Sequence, residues 1–218
     1  MEKSIESIWK EGFLENNALI APKINDLYNQ KSTHLVDKFR RMYRININAI
    51  FIFAILILPF TYVTNMPYMG IPMSIAFIVI IIFSSKFKKK LDNIDASQNS
   101  YQYLKSFNNW VQDMVAFNTK MSRYLYPFVF LSLASGFWFG SIGDDVPGEE
   151  IVSRLLIDYP DMILVFGIPL FVIIGAICMV ALLAYFGGRI GMWDLNLVYG
   201  GILKKLKGLL YEMDELRA

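Results

Sequence analysis

The sequence predicts an all-α chain: a polytopic membrane protein with four transmembrane helices and cytoplasmic helical extensions that pack as a bundle. Three observations carry this expectation. Hydrophobic residues make up 55% of the 218 residues and charged residues only 18%, against about 25% charged in an ordinary globular domain. The apolar residues gather in long charge-free runs. The Lys and Arg residues gather on alternate connections between those runs.

The first run covers 45–85, 41 residues without Asp, Glu, Lys or Arg. About 20 residues cross the hydrocarbon core, so the run holds two spans. Asn65-Met66-Pro67 and Gly70-Ile71-Pro72 supply a turn between them. Span one is expected at about Ile45–Thr64 and span two at about Tyr68–Ser85. The third run is Tyr124–Gly143 and the fourth Met162–Gly188. Gly167 and Pro169 suggest a kink early in span four. Tyr62, Tyr68, Tyr124, Tyr126, Trp138, Tyr185 and Trp193 fall near span ends, as an interfacial aromatic belt requires.

Orientation follows from the cations. Residues 1–44 hold eight Lys and Arg, 86–123 seven, and 187–218 five, whereas 143–161 holds one and the turn at 65–70 none. The positive-inside rule puts the three rich segments in the cytoplasm and the two poor ones outside. The expected organisation is therefore a cytoplasmic N-terminal region of amphipathic helices (1–44) and a transmembrane hairpin (45–85). A cytoplasmic helical extension (86–123) follows, then spans three and four (124–188) around an acidic external loop (144–161), and a cytoplasmic C-terminal helix (189–218). No apolar stretch with a small-residue cleavage site precedes span one, which is expected to act as the targeting signal itself.

The cytoplasmic segments are periodic. Tyr103, Phe107, Trp110, Met114, Phe117 and Met121 recur at spacings of four and three, the seam of a helix that packs in heptads. One helix from about Ser100 to Gly140 is predicted. In the tail, Ile202, Leu206, Leu209, Met213 and Leu216 repeat the pattern, and Gly187-Gly188 offers a hinge or helix end where span four leaves the membrane. Ile24, Leu27, Tyr28, Leu35, Phe39 and Met42 form a stripe running into span one. These stripes are expected to pack on one another beneath the membrane, with part of them free to dock a partner. Ile5, Ile8, Trp9 and Phe13 share one face of a separate short helix, with a break expected across Asn16-Asn17 and Ala21-Pro22. Such a helix suits a groove on another protein. The candidate partner contacts are Ile5, Trp9, Phe13, Tyr103, Phe107, Trp110, Leu206 and Leu209.

Catalytic chemistry has little to stand on. One His and one Cys, His34 and Cys178, exclude an internal disulfide and make a multi-His or Cys-rich metal centre unattainable within the chain. No ionisable side chain lies within the four runs, whereas proton-coupled transport normally needs one. The span hydroxyls Thr61, Ser74, Ser132 and Ser135 are expected to bond helix backbone. No cofactor, enzyme activity or direct nucleic-acid contact is expected. Gly187-Gly188-Arg189-Ile190-Gly191 follows a span rather than a strand, and so fails as a phosphate loop. Ser132, Gly136 and Gly140 have the small-xxx-small spacing of a helix-packing face, used within the chain or between copies in a homo-oligomer.

The runs Trp9-Lys10-Glu11-Gly12-Phe13-Leu14-Glu15-Asn16, Ala21-Pro22-Lys23-Ile24-Asn25-Asp26-Leu27-Tyr28-Asn29, Ser100-Tyr101-Gln102-Tyr103-Leu104-Lys105 and Ala184-Tyr185-Phe186-Gly187-Gly188-Arg189 carry a resemblance. Together they resemble a family of small bacterial inner-membrane proteins often encoded beside an extracytoplasmic-function sigma factor. The resemblance implies a location in the bacterial inner membrane and a regulatory, anti-sigma role. The expected function is a non-enzymatic signalling protein whose cytoplasmic helices hold a soluble partner, such as a sigma factor, at the membrane. The alternative is an oligomeric transport or assembly subunit built through the span-three glycines.

Overall fold

Uninterrupted helix-forming sequence and long charge-free runs produce helices of unusual length. The computed structural model describes the backbone of residues 5–95, 97–141 and 146–215, and side chains from residue 27 onward. Five helices account for nearly all of it: α1 (Ile5–Val63), α2 (Pro67–Asp92), α3 (Ser100–Phe139), α4 (Pro147–Asp158) and α5 (Leu170–Glu215). A minimal hairpin, β1 (Leu164–Val165) and β2 (Ile168–Pro169), precedes α5. The fold is all-α. Three segments are long and apolar enough to cross a membrane: Leu27–Val63 of α1, the whole of α2, and α5. Their midsections point bulky side chains outward, among them Ile52, Phe53, Leu56, Ile78, Ile174 and Ile177. A water-soluble protein does not sustain apolar exposure of that extent; the chain is a membrane protein.

The connections place the charges. Asn65, at a φ of 54°, closes the turn from α1 to α2. The Ser141 N–H donates to the Asn65 carbonyl at 3.1 Å, so the end of α3 meets that turn. α4 folds back onto α3, with Gly148 against Trp138. At the opposite end, Asn99 caps α3 by accepting from the Gln102 N–H at 2.9 Å. Asp95 accepts from Ser97 N–H and Oγ at 2.8 and 2.7 Å, which holds its carboxyl below the usual range. Lys and Arg residues thus collect at one end of the bundle. At the acidic end Arg154 is the only cation among the described residues, paired with Glu150 at 2.5 Å. Asp144 and Asp145 lie outside the described residues.

α3 runs from Ser100 to Phe139, close to the helix predicted from its period. At about 1.5 Å per residue its 40 residues reach about 60 Å. Its charge-free half carries two Tyr, two Ser, one Pro, one Gly and one Trp and so is less apolar than the spans of α1, α2 and α5, yet it lies beside α2. Ser135 Oγ donates to the Tyr68 carbonyl at 3.1 Å, and Gly136 faces Met69 so closely that a Cβ there would overlap it. The hydroxyls of Thr61 and Ser132 donate to helix carbonyls four residues back, at 2.9 and 2.8 Å, while Thr61 itself is pressed against Gly70.

Three expectations need correction. Residues 164–169 form a hairpin, not the start of span four: Phe166 and Gly167 have φ of 52° and 77°, both positive as a type I′ turn demands. The expected kink at Gly167 and Pro169 is therefore a helix start. α1 is continuous from Ile5 to Val63, so the expected break at 16–22 is absent. A proline costs a helix about 3 kcal/mol, which so long a helix tolerates. α5 also passes straight through Gly187-Gly188 with no hinge, because those glycines serve close packing instead.

Candidate functional site

The candidate surfaces lie at the lysine-rich end, where α1, α2, α3 and α5 converge. Its core is aromatic. Phe39, on α1, is fully buried, with ring centroids 5.3 Å from Phe107, 5.5 Å from Trp110 and 4.9 Å from Tyr199. One side chain therefore joins three helices. Aromatic pairs of this kind contribute about 0.5–1.5 kcal/mol each beyond area burial. Trp110 Nε1 donates to the Phe87 carbonyl at 3.0 Å, tying in α2. Arg40 Nη2 donates to the Leu91 carbonyl at 3.1 Å and pairs with Asp37 at 3.7 Å.

This packing corrects part of the expected partner surface. Tyr103, Phe107, Trp110 and Leu206 are at most 6% exposed and Leu209 packs against the same cluster. The apolar faces of Tyr103, Phe107 and Trp110 are occupied by the chain's own helices, whereas Leu206 and Leu209, packed on the same core, also line the two grooves beside α5. The side chains of Ile5, Trp9 and Phe13 lie outside the described residues. Ser132 and Gly136 are buried in the packing of α3, and Gly140 lies against the Asn65–Met66 turn. All three are used within the chain.

A second small-residue contact was not legible as such. Gly187, Gly188 and Gly191 bring α5 against Thr119, Ser122 and Arg123 of α3. The four-residue spacing of Gly187 and Gly191 was the available signal.

Below this contact, two grooves flank α5. One, between α3 and α5, encloses about 830 Å³. Val111, Val115, Ala116 and Leu203 give it an apolar wall, and Lys120, Arg123, Lys204 and Lys207 a cationic rim; no Asp or Glu lines it. The other, between α1 and α5, encloses about 660 Å³ and carries Lys31, His34, Lys38 and Lys205 with Glu212.

Where the four long helices meet there is a cavity of about 260 Å³. Tyr43 donates from its hydroxyl to the Ser84 carbonyl at 3.2 Å, and Asn46 Nδ2 donates to Tyr199 Oη at 3.0 Å. Burial raises the phenol of Tyr103, in the same aromatic core, above its ordinary value. Asp194 also lines this cavity and accepts a hydrogen bond from the Tyr126 hydroxyl. Sequence reasoning overlooked Asp194 because it lies beyond the charge-free run. The clue was its isolation: it is the only acid between Asp161 and Glu212.

Among the described residues, no group of three His, Cys, Asp or Glu side chains is placed to hold a metal ion. Comparisons with protein-family models, characterised proteins and solved structures give no match.

Proposed function

We propose that this is a non-enzymatic regulatory protein of the bacterial inner membrane that docks a soluble cytoplasmic partner through an acidic amphipathic helix. In this reading α3 is the fourth span, and both termini lie in the cytoplasm. The opposed ends support it: Lys and Arg crowd one end, and a cation-poor acidic segment occupies the other, the distribution expected of positive-inside topology.

The groove between α3 and α5 carries the functional reading. An apolar wall bordered by four cations and no acid complements a helix with one apolar face and flanking carboxylates. Anchoring such a partner at the membrane removes it from the cytoplasm, which is sequestration. The resemblance to membrane proteins encoded beside sigma factors makes a sigma factor the first candidate. The N-terminal segment with Trp9 and Phe13 is the second contact in this proposal. The span-three glycines favour this reading over an oligomeric subunit, since Gly136 is engaged with Met69 of the same chain.

The test is cross-linked recovery of partners from native membranes. A Lys204→Glu/Lys207→Glu variant should lose the partner that wild type and a Lys88→Glu/Lys89→Glu control retain. Equal recovery by all three would rule out the groove.

A further inference from the structure

We infer that the cavity at the convergence of the four helices binds a small organic cation, an ammonium with a compact apolar body. The inference is independent of the docking groove. Its walls carry the rings of Tyr43, Phe83, Phe87, Phe117 and Tyr199, with the Asp194 carboxylate at one side. No Lys, Arg or His lines it. Aromatic faces attract cations through the ring quadrupole, best where water is excluded. A carboxylate beside such rings adds a full negative charge.

One further observation points the same way. Asp194 forms no ion pair among the described residues, where the salt bridges are Arg40–Asp37 and Arg154–Glu150. Its partner is a neutral phenol, Tyr126, which belongs to the charge-free half of α3. Asp194 is exposed at the rim of the cavity, so a cation can reach its carboxylate. Lys86 Nζ lies 5.5 Å from the Phe83 centroid and Lys90 Nζ 5.6 Å from that of Phe87, so Tyr43, Phe117 and Tyr199 are the rings left to receive a guest cation. Neither lysine lines the cavity. The volume of about 260 Å³ is at the small end for ligand pockets, which limits the guest to a compact amine.

The chemistry has a clear discriminant, because a purely apolar cavity would not distinguish charge. The full chain in neutral detergent micelles is titrated by calorimetry with benzyltrimethylammonium and, separately, with its neutral isostere neopentylbenzene. Saturable binding of the cation is expected, at least tenfold tighter than the isostere. Asp194→Asn should weaken the cation about tenfold and leave the isostere unchanged. The comparison of the two ligands on the wild-type protein stands even if the variant fails to fold. Equal affinities for the two ligands, no saturable binding of the cation, or unchanged cation affinity in a folded Asp194→Asn protein would each overturn the assignment.

Discussion

Replacing Gly187 with alanine would put a methyl group where α5 touches α3. The added Cβ would lie 2.9 Å from the Ser122 carbonyl oxygen and 3.0 Å from the Arg123 Cα. Both are backbone atoms, so no rotamer change relieves the contact and the helices must part. Overpacking of this kind costs about 1–3 kcal/mol. Alanine also gains about 1 kcal/mol over glycine inside a helix. Gly208 supplies the control, because nothing lies within 4 Å of a Cβ built there. The helix-propensity gain is common to both substitutions and cancels in their difference. Gly208→Ala should therefore be more stable than wild type, and Gly187→Ala less stable than Gly208→Ala by about 1–3 kcal/mol. Reversible unfolding in mixed dodecyl maltoside and SDS micelles, followed by far-UV circular dichroism, measures the gap. Equal stability of the two variants would refute the close α3–α5 contact.

Other consequences follow from the same packing. Phe39→Ala removes the ring shared by three helices and should destabilise the fold by about 3–5 kcal/mol, read in the same unfolding assay; Tyr62→Ala, at an 81% exposed position, should change little. Gly136→Ile should lower stability without altering the number of copies per particle, as light scattering in detergent would report; a smaller particle with unchanged stability would return the glycine face to an oligomer contact. Burial raises the phenol of Tyr103 above 10.0. A raised folded-state value favours the neutral form, so this stabilisation is complete below pH 10 and is lost as the pH rises through the higher folded-state value. Absorbance at 295 nm should show a late tyrosinate step that coincides with loss of helix signal. Titration of every tyrosine near 10 with the helix signal intact would contradict the buried aromatic core.

Much of the architecture was legible because burial leaves a period. Tyr103, Phe107, Trp110 and Met114 recur on one face of α3, and that face is the one buried against Phe39 and Tyr199. The same period does not say what buries it. A stripe facing a partner and a stripe facing a neighbouring helix look identical in one chain, which is why four of the expected partner contacts lie in the core. Charge-free runs show where lipid is tolerated but not where a helix begins. Val165-Phe166-Gly167-Ile168 is as apolar as any span, and its hairpin depends on positive φ at two adjacent residues. Gly187 and Gly188 carried the opposite ambiguity, since glycine ends helices and also lets them touch. Asp194 was hidden because its position depends on α5 continuing past those glycines.

The central claim is that α3 crosses the bilayer, with α1, α2 and α5, so that the lysine-rich end faces the cytoplasm. Its most direct test uses Cys178→Ser as a cysteine-free background, since Cys178 is the only cysteine. Single cysteines at Lys105, Glu150 and Lys207 are then exposed to a membrane-impermeant maleimide in cells whose outer membrane alone has been permeabilised. The account predicts labelling at 150 only, with 105 and 207 reacting after the inner membrane is opened. Labelling of 105 together with 150, or of 207 before lysis, would contradict it.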